Sequence, residues 1–156
     1  MRTVTLYLIL KYVHVLLAIT AVGSNLTYGI WLSRAGRDPQ HTGFILKTVK
    51  FLDDRVANPA YGLLLITGLA MLYVGGIRWT MPWVLSALVL YAVVVAVAAV
   101  LYTPALASQI AAAEAAGPQA PVYQALAARG QRLGIVVAVL ILVIVFLMVT
   151  KPALWG

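Results

Sequence analysis

Four apolar stretches, each long enough to cross a membrane, limit what this chain of 156 residues can fold into. They run from about Val4 to Leu32, Val56 to Ile77, Met81 to Tyr102 and Leu133 to Val149. A bilayer core of about 30 Å needs roughly 20 mostly apolar residues per helix. Each stretch must be helical, because hydrocarbon offers backbone groups no partners and four spans are too few to close a barrel. The sequence therefore predicts an all-α integral membrane four-helix bundle, a single domain over residues 1–156.

The composition agrees with a membrane protein and excludes several chemistries. Hydrophobic residues make up 63% of the chain and charged residues 10%, whereas about a quarter of a soluble domain is charged. The chain has no cysteine, which excludes disulfides, thiolate metal sites, iron–sulfur clusters and cysteine nucleophiles. The net charge of +7 lies in short segments between apolar runs, so we expect no nucleic acid partner.

The basic residues are unevenly distributed between the loops. The first and third loops hold Arg34, Arg37, Lys47, Lys50, Arg55, Arg129 and Arg132. The second loop and the two ends of the chain hold only Arg2, Arg78 and Lys151. The positive-inside rule then makes the first and third loops cytoplasmic and both termini non-cytoplasmic. We expect a multi-pass protein of the bacterial inner membrane, with its first helix uncleaved because Lys11 and His14 interrupt the apolar region.

The first loop contains signals for the start of a helix. Asp38 can cap free backbone amides, and Pro39 suits the first helical position. We predict an amphipathic lead-in over about 39–57 that joins the second span. Pro59 is expected to kink this helix where it enters the membrane.

Nearly every polar side chain of the first span falls on one stripe. The stripe has alternating spacings of four and three residues, which is one helix face, and consists of Tyr7, Lys11, His14, Ala18, Ala21, Asn25 and Tyr28. An ionisable side chain near the bilayer centre costs at least about 2.5 kcal/mol. We therefore expect the stripe to point into the bundle, where its side chains would find partners or water.

The stripe has a functional and a structural interpretation. Neutral imidazole binds haem iron, copper or zinc, so His14 is a candidate metal ligand or proton carrier. Ala18 and Ala21 would leave room for a flat group such as a porphyrin. In the structural alternative, His14 hydrogen-bonds a backbone carbonyl or a tyrosine and the alanines seat another helix. Lys11 either snorkels to the membrane surface or binds an anionic group such as a haem propionate.

Polar residues also mark the opposite end of the stripe. Asn25 and Tyr28 are expected to meet Asp54, Asn58 and Tyr61, which have a similar spacing on the second helix.

A structural ion pair is predicted where the second and fourth helices enter the bilayer. Asp53 or Asp54 would pair with Arg129 or Arg132, since all four lie at one membrane face. A gate for transport is the alternative role for these charges.

The histidine count limits the cofactors. Two haems, each held by two histidines, would need about four, whereas this chain has two. A single b-type haem is compatible with His14 on one side and a methionine, water or nothing on the other. Met71, Met81 and Met148 are not distinguished by their neighbours, and His41 reads as a solvated loop residue. No Walker loop, dinucleotide fingerprint, zinc-protease helix or nucleophile elbow is present, so no catalytic residue is assigned.

Two segments resemble a known family. They are KYVHVLLAITAVG, from Lys11 to Gly23, and VFLMVTKP, from Val145 to Pro152. They are similar to a bacterial family of predicted integral membrane proteins of unknown function. That family is distantly similar to the membrane-bound, haem-associated type of protoporphyrinogen oxidase and to copper-resistance D-type proteins. The resemblance implies that His14 matches a first-helix histidine implicated in haem binding.

The leading hypothesis is a membrane protein that binds one haem b through His14, with a redox or tetrapyrrole-handling role. Lys11, Ala18, Ala21, Asn25 and Tyr28 would complete the cofactor site. A small transporter or metal-handling protein, and a non-catalytic accessory subunit, are the alternatives. The expected partners are the lipid bilayer and a redox partner protein, and a homo-oligomer is left open.

Overall fold

Four long helices account for nearly all of the computed structural model, which describes residues 2–154 apart from the side chain of Arg2. They are α1 (Arg2–Ala35), α2 (Thr42–Val74), α3 (Pro82–Ala116) and α4 (Pro121–Thr150). All four are long and apolar enough to span a membrane, and no strand occurs within the described residues. The predicted all-α fold with four membrane helices is confirmed.

Each helix is longer than a bilayer core requires. The helices have 30 to 35 residues, which at about 1.5 Å per residue is roughly 45–52 Å, against a hydrocarbon thickness of about 30 Å. The excess lies at the end where α1 and α3 finish and α2 and α4 begin. This end, which we call the basic end, carries all four acidic residues and most of the basic ones.

The basic end is the best-packed part of the bundle. Its buried cluster contains residues from all four helices: Tyr28, Ala35, Ile45, Leu46, Val49, Ala57, Leu106 and Tyr123. An ion pair of 2.7 Å between Lys47 and Glu114 also links α2 to α3 there. The basic end therefore holds the helices together where they extend beyond the apolar spans.

The start of α2 differs from the sequence prediction. The helix begins at Thr42, three residues after Pro39. The Asp38 carboxylate accepts a hydrogen bond from the His41 amide (3.4 Å) and lies 2.8 Å from the His41 ring nitrogen. Thr42 is buried, and its hydroxyl donates to the Ala35 carbonyl at 2.8 Å. This bond ties the first turn of α2 to the end of α1 and sets where the helix begins.

Two wide helical turns replace the single kink that the sequence predicted. The segments Asp53–Ala57 and Ala98–Tyr102 are π-helical, and each is followed two residues later by a proline, Pro59 or Pro104. In both, the amide just after the segment bonds to the carbonyl of its first residue, five positions back. A proline offers no N–H and crowds the carbonyl four residues before it. The wide turn absorbs that defect, so α2 and α3 each continue as one helix.

The bundle consists of two helix pairs, α1 with α2 and α3 with α4. The pairs meet at the basic end, where Thr42–Leu52 approaches Thr103–Ala116, and α1 also contacts α4. At mid-bundle, side chains still join the pairs, since Val22 of α1 and Tyr61 of α2 pack against the cluster of Val94, Val137 and Ile141. The backbones are farther apart there: no Cα atom of Asn58–Val74 lies within 8 Å of one in Pro82–Val97. This separation opens space inside the bundle.

Gly68 on α2 and Gly75, which directly follows its last residue, set the close packing of α1 against α2. A Cβ atom on Gly75 would lie 2.8 Å from Cε2 of Tyr7, and one on Gly68 would lie 3.3 Å from Cε1 of His14. Both the glycines and the stripe residues are seven positions apart, which is the repeat of helices packed along a common seam. The polar stripe therefore lies on the face of α1 that packs against α2, and its spacing matches that of the glycines it contacts.

Candidate functional site

Two chambers lie between the helix pairs. The first, which we call the histidine chamber, has a volume of about 760 Å³ and lies towards the end opposite the basic end. Its polar lining residues include Tyr7, Lys11, His14 and Lys151, and most of the rest of its wall is apolar. This volume falls within the range of about 300–1,000 Å³ usual for small-molecule sites.

His14 is held by a hydroxyl on α2. Its Nδ1 lies 2.8 Å from Oγ1 of Thr67, and that hydroxyl donates to the Leu63 carbonyl at 2.8 Å. A hydroxyl has one hydrogen, so Thr67 accepts from His14, which places the ring proton on Nδ1. This tautomer leaves the Nε2 lone pair available to a metal or to a proton donor.

The charged residues of the histidine chamber are all basic. Lys11 and Lys151 line it, and Nζ of Lys151 lies 5.4 Å from the centroid of the Trp83 ring, a cation–π distance. No aspartate or glutamate in the described part of the chain lines this chamber. The chamber is therefore suited to an apolar ligand with an anionic end. Lys11 is exposed, so its amine is also placed to snorkel.

The second chamber has a volume of about 970 Å³ and lies at the basic end. We call it the tyrosine chamber because five phenols line it: Tyr28, Tyr61, Tyr91, Tyr102 and Tyr123. Both π-helical segments contribute to its wall, through Asp53 on α2 and through Ala98, Ala99 and Tyr102 on α3. Such segments are frequent at functional sites.

A layer of two tyrosines and one valine lines both chambers: Tyr61, Tyr91 and Val94. Asn25 Nδ2 donates to the Tyr61 hydroxyl at 2.7 Å and to the Ala21 carbonyl at 3.0 Å. The Tyr91 hydroxyl donates to the Tyr61 carbonyl at 2.9 Å and so joins α3 to α2. The predicted meeting of Asn25 with Tyr61 is therefore present, in the layer that the two chambers share.

The predicted ion pair between α2 and α4 is not formed. Asp54 pairs instead with Lys50, one turn earlier on its own helix. Within the described residues, neither Asp53 nor Asp54 has Arg129 or Arg132 as a salt-bridge partner, and both arginines are exposed. Lys50 lies four positions before Asp54 and reaches it along the same helix face. The sequence does not give the distance between α2 and α4, so it could not show that the arginines pair with neither aspartate.

Asp53 faces the tyrosine chamber and is only 8% exposed. Its one side-chain hydrogen bond in the described structure is a long contact of 3.5 Å from Nδ2 of Asn58. The hydroxyl of Tyr28 is also buried in this chamber, and within the described residues it makes no hydrogen bond of ordinary geometry. Two buried polar groups of this chamber are thus poorly satisfied.

The stripe predicted on α1 divides between the two chambers. Tyr7, Lys11, His14 and Ala18 line the histidine chamber, Asn25 and Tyr28 line the tyrosine chamber, and Ala21 is buried between them. Sequence reasoning missed Thr67 and Gly68 as the partners of His14. The spacing of Gly68 and Gly75 matches that of His14 and Tyr7, and this was the available signal.

Among the described residues that line the histidine chamber, His14 is the one usual strong metal ligand. No three His, Cys, Asp or Glu side chains come together as a metal site anywhere in residues 2–154. A bare metal ion needs more protein ligands than this, whereas haem brings four nitrogens of its own.

Comparison with known proteins gives one match. The family model described as predicted integral membrane protein (DUF2269) matches residues 8–152. No match was found among curated proteins or among solved structures. Because the match covers nearly the whole chain, the chain belongs to this family of predicted integral membrane proteins.

Proposed function

We propose that the protein binds one b-type haem in the histidine chamber and has a redox or tetrapyrrole-handling role. The observation that carries the proposal is the position of His14. Its Nδ1 is fixed by Thr67 at 2.8 Å, and its ring lines a chamber of about 760 Å³ with Nε2 available as a ligand. A hydrogen bond that fixes the tautomer and orientation of the ring is the usual support for a metal-binding imidazole.

The walls of the chamber fit a flat apolar ring with acidic substituents. Ala18 and Gly68 flank His14 and present little side-chain bulk. The ammonium groups of Lys11 and Lys151 lie towards the end of the chamber farthest from the basic end. They would pair with the propionates, which need a cation or water when they are held near a membrane.

The residues also offer a second iron ligand. Met71 and Met148 line the histidine chamber, whereas Met81 does not. Bound haem would supply one-electron redox chemistry, and its potential would depend on whether a methionine or water completes the coordination.

The proposal is tested by absorption spectroscopy of the purified protein. The detergent-solubilised protein, reconstituted with haemin, should show a Soret band that shifts on reduction. His14→Ala should abolish the band, because the protein then has no imidazole in the chamber. His41→Ala is the matched control and should leave the spectrum unchanged, since His41 is exposed in a loop. A wild type without a Soret band, or a His14→Ala spectrum equal to the wild type, would contradict the proposal.

We also propose the orientation in which the basic end faces the cytoplasm of a bacterial cell, with both termini on the other side. The seven basic residues of the first and third loops support it. A phosphatase fused after Gly156 should be active and a fluorescent protein at the same position should be dark. The reverse pattern would invert the orientation.

A transporter is the second candidate, and one observation favours it. The two chambers share the layer of Tyr61, Tyr91 and Val94, so a solute path would need only this layer to open. Asp53, not Asp54, would line such a path.

A further inference from the structure

We infer that the tyrosine chamber is a separate binding site for an organic cation of the ammonium class, with Asp53 as its counter-ion. The inference does not depend on haem binding, because Asp53 and Tyr28, on which it chiefly rests, do not line the histidine chamber. It depends on three features of the chamber: its single charge, its phenol walls and an unsatisfied hydroxyl.

Asp53 is the only charged residue among the described residues that line the tyrosine chamber. A buried carboxylate is costly unless a cation or several hydrogen bonds compensate it. Here the one side-chain donor is Asn58, at 3.5 Å, and the neighbouring ammonium of Lys50 is engaged by Asp54. The chamber is therefore a site where a cation is electrostatically favoured and an anion is excluded.

The walls of the chamber suit an organic cation better than a metal ion. A metal such as Mg²⁺ or Ca²⁺ takes six or more oxygen ligands, and one carboxylate in a chamber of about 970 Å³ does not provide them. Five tyrosines line the same space. Phenol rings attract ammonium and guanidinium groups through their π-faces and bury the attached apolar part of the ligand.

The hydroxyl of Tyr28 adds a directional group. Tyr28 is 2% exposed and its hydroxyl is fully buried. Within residues 2–154 the Ser24 side chain, one turn earlier, lies close enough to interact with this hydroxyl, but no partner reaches it with full hydrogen-bond geometry. Buried polar atoms without partners are uncommon and call for an explanation such as a ligand. Since a phenol oxygen can accept, it is placed to receive an N–H from a primary ammonium.

The experiment measures the binding of phenyltrimethylammonium to the full-length protein in nanodiscs of zwitterionic lipid, by calorimetry against empty nanodiscs. Benzenesulfonate, a flat aromatic anion of similar size, is the charge-reversed probe. Asp53→Asn should weaken the binding of phenyltrimethylammonium at least about tenfold, because it removes the only counter-ion and keeps the side-chain shape. Glu114→Gln removes a carboxylate that lies outside the chamber and pairs with Lys47, and it should bind like the wild type.

Three results would overturn the inference. They are no binding of phenyltrimethylammonium to the wild type, equally tight binding of benzenesulfonate, and the same loss in Asp53→Asn and Glu114→Gln. A readout that needs no variant covers the case in which Asp53→Asn does not fold. In wild-type protein labelled with ¹³C-tyrosine, the ring signals of Tyr28 and Tyr102 should shift with phenyltrimethylammonium and stay in place with benzenesulfonate.

The role of Tyr28 is tested with a primary amine. Tyr28→Phe should weaken the binding of 2-phenylethylammonium, which has N–H donors, and leave the quaternary phenyltrimethylammonium unaffected. If both probes bind Tyr28→Phe as they bind the wild type, the hydroxyl takes no part in the site. Failure of this site would leave the Soret spectrum of the haem experiment unchanged, so the two proposals fail separately.

Discussion

The two chambers lie in one bundle, share the same first helix and have opposite electrostatic character. The histidine chamber carries two lysines and an imidazole and, among its described lining residues, no carboxylate. The tyrosine chamber carries one carboxylate and, among its described lining residues, no lysine, arginine or histidine. One polar stripe on α1 supplies residues to both. A stripe of polar side chains in a membrane helix therefore does not by itself define one site.

The chambers also differ in how their walls are built. Around the tyrosine chamber the helices are locked by a buried cluster and by π-helical turns in α2 and α3. Around the histidine chamber the helix pairs have separated, and the close contacts are those of α1 with α2 at Gly68 and Gly75. The orientation of the His14 ring therefore depends on contacts between α1 and α2, above all on the hydroxyl of Thr67.

The largest expected effect is that of Thr67→Val on the affinity of the histidine chamber for haem. The change keeps the side-chain shape and removes the hydroxyl that accepts from Nδ1 of His14. Loss of such a support typically costs about 10- to 100-fold in the affinity of a metal group. Haemin titration followed at the Soret band measures this, with Thr67→Ser as the control that keeps the hydroxyl.

The same variant should leave phenyltrimethylammonium binding at its wild-type value, because Thr67 does not line the tyrosine chamber. A Thr67→Val protein with wild-type haem affinity would show that the hydrogen bond is structural only. A loss at both chambers would show that they are one coupled site, contrary to the comparison.

Much of the fold could be predicted from the sequence because its cause is local. Apolar length fixes the four spans, and the spacing of Tyr7, His14 and Asn25 fixes the face of α1 that turns inward. The candidate cofactor ligand, His14, follows from the same argument, because an imidazole within a membrane span is stable only inside the protein. These inferences require only the residues of a single helix.

The choice of partners could not be predicted, because it depends on distances between helices. Asp54 has one candidate partner on its own helix, Lys50, and two at the same end of α4, Arg129 and Arg132. In the structure it pairs with Lys50. The result leaves Asp53 without a cation, which is what gives the tyrosine chamber its charge. Likewise, Pro59 indicated a defect in α2, but not that a wide turn would absorb it, and the matching turn before Pro104 in α3 was not predicted.

The smallest expected effect is at the layer between the chambers. Tyr91→Phe removes the hydroxyl that donates to the Tyr61 carbonyl at 2.9 Å, in the part of the bundle where no Cα atom of Asn58–Val74 lies within 8 Å of one in Pro82–Val97. A hydrogen bond of this kind contributes about 0.5 to 1 kcal/mol to stability. Thermal unfolding in detergent should therefore show a slightly lower midpoint, with an unchanged Soret spectrum.

Tyr91→Phe also separates a binding protein from a transporter, because the layer lies between the two chambers and a solute path through both would cross it. If the two chambers are independent binding sites, proteoliposomes with the wild type or Tyr91→Phe should take up no more phenyltrimethylammonium than empty liposomes. Tyr123→Phe, which loses a 3.4 Å contact from Gln109 at the far wall of the tyrosine chamber, is the matched control. Uptake that increases in Tyr91→Phe and not in Tyr123→Phe would mean that the layer is a gate, and the two chambers would then be the two ends of one path.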